Sequence, residues 1–158
     1  MAISYDLDMA TPLPAAHVAR ELHDAAQNIG LFDASVTLEQ VLNEGAATEL
    51  GTWIRVYESK PRPWNAVITD LGFTPAVSVV FRLDKEGEIS DQQDEMIRLV
   101  SSVLDRVPGD AVLHKDLEQV WLLRRSGDLN VSEQADLWPP HRLSALSHHY
   151  RRATLAFS

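Results

Sequence analysis

Apolar and polar residues alternate along the first segment: Ile3, Tyr5, Leu7 and Met9 point one way, Ser4, Asp6 and Asp8 the other. A period of two predicts a half-buried strand with a wet, acidic face. Thr11-Pro12-Leu13-Pro14 breaks it, and Pro14 suits the first turn of a helix, where a missing N–H costs nothing. Val18, Leu22, Ala25 and Ile29 then recur at helical spacing until Gly30. A shorter helix is expected from Leu38 to Asn43, capped by Thr37 and closed by Gly45. Thr48 to Glu58 reads as extended, with Trp53, Arg55 and Tyr57 on one face and Ile54 and Val56 on the other. Lys60-Pro61-Arg62-Pro63 is a stiff connector, and Trp64 to Leu71 could turn helically before Gly72.

Ala76 to Asp84 is the strongest strand. Val77, Val79, Phe81 and Leu83 form its apolar face, and Val80 on the other face points to a central position. An acidic loop follows and runs into a second long helix, with Ser90 or Asp91 as its expected cap. Met96, Val100, Val103, Leu104 and Val107 form that helix's stripe, stopped by Pro108-Gly109. Ala111–His114 and Val120–Arg125 read as strands, and Ser126-Gly127-Asp128 as a hairpin turn leading to Leu129 and Val131. The tail is expected to carry a short helix around Leu143 to Leu146. Nothing repeats and nothing resembles a linker, so the expectation is one domain spanning residues 1–158. Its class is α+β: a mostly antiparallel or mixed sheet of about five to seven strands, with two long helices packed on one face. Several strand pairs have connections too short for parallel crossovers.

Composition changes this picture mainly through charge. The net charge is −9, and residues 1–50 hold eight carboxylates against one base, Arg20. Such a field repels nucleic acid and anionic membrane and attracts basic protein surfaces. The absence of cysteine removes disulfide and thiolate chemistry and suits a reducing compartment. MAISYDLDMA does not read as a signal peptide, and no apolar run approaches the ~20 residues of a spanning helix. The expected location is cytoplasmic.

Catalytic and metal chemistry finds little support. His17 and His23 are six apart on one helix and cannot share a metal as an i, i+4 pair would; His141, His148 and His149 lack a carboxylate or cysteine at ligand spacing. No metal or other cofactor is expected. There is no G-x-S-x-G elbow, no S-x-x-K and no glycine-rich phosphate loop. Asp6 and Asp8 share a face about 7 Å apart, a separation open to acid–base chemistry, but a charged strand edge explains them equally. Arg124-Arg125 and Arg151-Arg152 are a weak nucleic-acid footprint on so acidic a chain. Trp121 is expected in the core, with Trp64 and Trp138 as loop wedges or contact anchors.

Residues 1–13, 51–56, 72–85, 98–113, 120–129 and 136–143 (among them GTWIRV, GFTPAVSVVFRLDK and DLWPPHRL) together resemble the bacterial immunity-protein family of the Sit contact-dependent toxins. The likeness spans nearly the whole chain, and none of its stretches is a catalytic signature. It implies a small cytoplasmic protein that binds and neutralises a cognate toxin and has no enzymatic activity. Immunity proteins commonly face basic toxins, for which an acidic face speeds encounter. The expected binding face combines Asp6 and Asp8 on the first strand, Glu21 and Asp24 on the first helix, and Asp84, Glu86, Glu88 and Asp91 on the acidic loop. Two alternatives stand beside it: a small-molecule binder or enzyme using Asp6 or Asp8 with His114, and a homo-oligomer pairing through its tryptophan-bearing segments.

Overall fold

The computed structural model describes residues 3–158, so the first two residues of the MAISYDLDMA segment lie outside the described part. Eight strands form one sheet: β1 (Ile3–Ala10), β2 (Ala46–Ala47), β3 (Trp53–Glu58), β4 (Val77–Leu83), β5 (Asp110–Lys115), β6 (Gln119–Arg125), β7 (Asp128–Ser132) and β8 (Tyr150–Ala153). Their order is β2-β3-β4-β1-β5-β6-β7-β8, so the first strand lies at the centre. Every neighbouring pair is antiparallel except β7 and β8. The α+β class and the two long helices on one face are as expected; the strand count is eight rather than five to seven. The added strands are the two-residue β2 and the edge strand β8, both too short to show periodicity.

Helices α1 (Ala15–Asn28), α2 (Leu38–Asn43), α3 (Ile89–Arg106) and the short α4 (Pro140–Leu143) cover one side. The alternation read in β1 sends Tyr5, Leu7 and Met9 into that core, where they meet Val18, Leu22 and Ala25 of α1 and Met96, Val100 and Val103 of α3. Thr37 caps α2 as expected: its hydroxyl accepts from the Gln40 amide, and the Gln40 side chain returns to the Thr37 amide. The cap of α3 differs. The helix starts at Ile89 after Glu88, with no side-chain cap. Buried Gln92 instead reaches back, donating to the Asp84 carbonyl and accepting from its amide, so one side chain ties the whole β4–α3 loop. At the far end Arg124 donates to the carbonyls of Leu104 and Val107, which the end of a helix leaves unpaired, and to that of Gly109 in the turn beyond.

A bulge sits between β5 and β6. Leu113 faces Leu122 and His114 faces Val120, leaving Trp121 as the extra residue. Both Trp121 and Leu122 can therefore enter the helical core, and Trp138 donates its indole N–H to the Trp121 carbonyl at 2.9 Å. The same bulge returns Val120 to the second face of the sheet, beside Val112 and Leu123. A π-helical turn at Val67–Leu71, Phe73 and the tail residues Leu155 and Phe157 cover this patch. That cover reaches only Ala10 at the end of β1 and leaves open the stretch around Asp6, Tyr57 and Ser78. No described helix is long and apolar enough to cross a membrane.

Candidate functional site

The second face of the sheet becomes a cleft where its cover ends. It has a volume of about 450 Å³, with Asp6 and Asp8 of β1 in its floor beside Ser78 of β4, His114 of β5 and Tyr57 of β3. The register places them: Asp8 pairs across with Ser78 on one side, and Asp6 with His114 on the other. Lys60, Pro61 and Asn65 form one wall, and Asp116 and Leu117, in the β5–β6 turn, form the other.

Asp8 is buried and fully engaged. It accepts from the Ser78 hydroxyl at 2.6 Å and pairs with His114 Nε2 at 2.7 Å. His114 Nδ1 accepts the Leu117 amide at 3.0 Å, which assigns the ring proton to Nε2 and directs it at Asp8. Both ring nitrogens are thus in use, and the imidazole has no lone pair left to take a proton from a substrate. Its outer face packs edge-on against Phe157, with centroids 5.6 Å apart. His114 holds the turn in place: Asp116 and Leu117 sit at φ +54° and +58°, a conformation costly for leucine, and the Leu117 amide is pinned to the ring.

Asp6 behaves differently. It is half-buried, and no described residue hydrogen-bonds its carboxylate. Burial, and then the charge of Asp8, push its pKa up to about 6. Asp116 adds to the rise, while His114 and Arg82 oppose it. Burial likewise raises the Tyr57 hydroxyl, again with the acids of β1 adding to it.

The remaining expected contact residues lie elsewhere. Glu21 is on the helix layer, 3.6 Å from Arg106 and 3.5 Å from His17. Asp24, exposed on the same helix, is 3.2 Å from His23. Asp84, Glu86 and Glu88 are exposed on the β4–α3 loop, and Asp91 is exposed in the first turn of α3 rather than on the loop. That loop packs on the turn at Glu49–Gly51, where Asp84 lies against Gly51 and the Leu50 carbonyl approaches Gly87. Glu49, Asp91 and Asp94 thereby gather around Leu50, whose side chain is exposed. The eight acids form three groups, and α1 is on the side of the sheet away from Asp6 and Asp8.

The fold adds Tyr57, Ser78, Asp116 and Leu117 to the first group. Only Tyr57 had a readable signal, its place in the Trp53-Arg55-Tyr57 face. His141 and His148 are paired instead with acids of α3, His141 with Asp94 at 3.1 Å and His148 with Asp105 at 2.7 Å. No three His, Cys, Asp or Glu side chains among the described residues converge to hold a metal.

Fold and site together define a class: an α+β domain with helices on one face of its sheet and a partly open, acidic cleft on the other. The SitI3-like family matches residues 3–142, from β1 into α4, and the chain belongs to that family. No curated protein and no solved structure matches it.

Proposed function

We propose that this is an immunity-type binding protein that neutralises a cognate bacterial toxin by occluding it through an acidic surface. The observation that carries the reading, beside the family, is the packing of the acidic β4–α3 loop on the Glu49–Gly51 turn. That packing sets Asp84 against Gly51 and gathers Asp91 and Asp94 with Glu49 around exposed Leu50, with Glu86 and Glu88 exposed on the same loop. Segments more than 30 residues apart in sequence are brought together there into one negative patch with an apolar centre. A patch of this kind speeds diffusional encounter with a basic partner, and a rigid loop limits the ordering cost of docking. The loop is rigid because Gln92 holds its backbone. Binding rather than catalysis is the reading because His114, the histidine among the described residues of the cleft, has both nitrogens occupied.

The test pairs this chain with the C-terminal toxin domain of the protein encoded immediately upstream, both expressed in one cell. Growth should be restored by the parent chain. A variant with Asp84, Glu86, Glu88 and Asp91 all changed to Lys should protect poorly and associate at least tenfold more slowly at low salt. Protection undiminished by that fourfold reversal, or an association rate indifferent to salt, would remove the acidic surface from the mechanism.

A further inference from the structure

Large apolar side chains are seldom left in water without a reason when they are clustered. Among the described residues three are exposed: Leu50, Trp64 and Leu117. Leu50 belongs to the patch above. Of the other two, one lines the cleft on the opposite side of the sheet and one adjoins its wall in sequence. Leu117 lines it, 37% exposed, and Trp64, 74% exposed, immediately precedes Asn65 of the facing wall.

Trp64 is presented rather than merely left out. Pro61 and Pro63 restrict the chain before it, and the Asn65 side chain accepts the Val67 amide just after it. Leu117 is presented by the bond from its own amide to buried His114. Leu117 thus lines an acidic hollow, and exposed Trp64 is joined directly to Asn65 of its other wall, which puts an aromatic and an apolar side chain within reach of a partly desolvated charge site.

The hollow selects the charge of its occupant. Asp6, Asp8 and Asp116 face it and Lys60 is its one cation, exposed and without an ion pair among the described residues. Asp8 has its partners, whereas no described residue hydrogen-bonds the Asp6 carboxylate, which feels only the more distant charges of Arg82 and His114 as counterweight. A planar cation with several donors could bridge Asp6 and Asp116 and lie along Tyr57, which a point charge on a flexible stem does less well.

We propose that this cleft is the anchoring site for an arginine side chain of a partner protein, with Trp64 and Leu117 gripping the apolar residues beside that arginine. The inference rests on the toxin-binding reading for the identity of the partner, not for the chemistry of the cleft. It divides the labour: the β4–α3 patch sets how fast the partner arrives, and the cleft sets how long it stays.

The cleft is tested on the intact chain without any toxin. The probes are blocked tripeptides, Ala-Arg-Ala and its lysine and citrulline counterparts, titrated while backbone amide shifts are followed by NMR. The arginine peptide should move the amides of Asp6, Asp8, Asp116 and Leu117 and the Trp64 indole, the lysine peptide less, and the neutral citrulline peptide not at all. Asp6→Asn and Asp116→Asn should each weaken arginine binding about tenfold, the scale of one charge-assisted hydrogen bond. Asn tolerates the left-handed backbone at 116, so that variant should keep its fold. The proposal is overturned if arginine and citrulline act alike, if the shifts fall on the β4–α3 loop instead, or if dilution of the protein alone moves the same amides, which would mean a second copy occupies the cleft. With the toxin domain, Trp64→Ala should speed dissociation at least tenfold and leave the association rate unchanged. Peptide binding without cellular protection would sink the toxin reading and keep the cleft; protection without peptide binding would do the reverse.

Discussion

Asp6→Asn should make the protein more stable, although it removes a residue from the proposed binding cleft. Asp6 sits half-buried beside Asp8 with no hydrogen bond to its carboxylate, and its pKa is raised from 3.8 to about 6. A carboxylate raised on folding binds more protons in the native chain than in the unfolded one between those two values. Its ionisation therefore takes stability away as pH climbs from about 3.8 through about 6, and the full cost is present above that. About two units at 1.36 kcal/mol each set a ceiling near 3 kcal/mol. Part of the side chain reaches water, and screening brings the expected figure to about 1–2 kcal/mol. Asparagine keeps the shape and removes the charge, so it should recover that amount at pH 7.5, equivalent to about 2–8 °C in Tm for a chain of this size. Urea unfolding of parent and variant at pH values from 3.5 to 8 measures it, and their difference cancels the other carboxylates. The advantage should shrink steadily below pH 6 and be nearly gone at 3.5. A variant no more stable than the parent at pH 7.5, or a gain that does not depend on pH, would refute the reasoning. A positive result would also make Asp6 a residue kept at the expense of stability, as binding sites often are.

Three further outcomes follow from the packing. Arg124→Met strips three backbone carbonyls at the end of α3 of their donor and should cost about 2–3 kcal/mol in urea unfolding, with Arg124→Lys restoring only part because one ammonium cannot reach all three. Gly109→Ala should cost more than about 2 kcal/mol, since its new methyl would stand 2.3 Å from the Ala10 carbonyl oxygen at φ +111°. Gly127→Ala, at φ +84° with open space around it, should cost only about 1 kcal/mol, and equal losses at the two glycines would discredit the close approach to β1. Thr37→Ala removes the α2 cap and should cost about 1 kcal/mol, seen first as faster hydrogen exchange of the Gln40 and Val41 amides.

Much of the fold can be read locally. Alternation places Tyr5, Leu7 and Met9 in the core, the two long helices appear where their stripes predict them, and Thr37 caps α2 through a bond only three residues long. Readings failed where the decisive partner was distant. The start of α3 is held by Gln92 and the loop it binds rather than by Ser90 or Asp91, because the bond from Thr52, just before β3, ties that segment to α3 and draws the glutamine inward. The tail forms the strand β8 after α4, since its backbone finds a partner in β7 that its own composition does not announce.

The candidate site divides along the same line. That Asp6 and Asp8 share a face follows from the pleat, because successive side chains of any strand must alternate. Whether that face was a wet edge or a cleft floor depended on which strands lay alongside β1. The Ser78 bond to Asp8 spans 70 residues and the His114 contact spans 106. The sequence by itself determined the elements, their buried faces and the excess of acid in the first third, since these follow from neighbour-to-neighbour sterics and solvation. Tertiary structure alone decided that β1 is central, that Asp8 finds partners while the Asp6 carboxylate finds none among the described residues, and that Leu117 faces Lys60 and Asn65 across the cleft. Those facts arise from pairing between remote segments, for which the local order of residues holds no periodic signal.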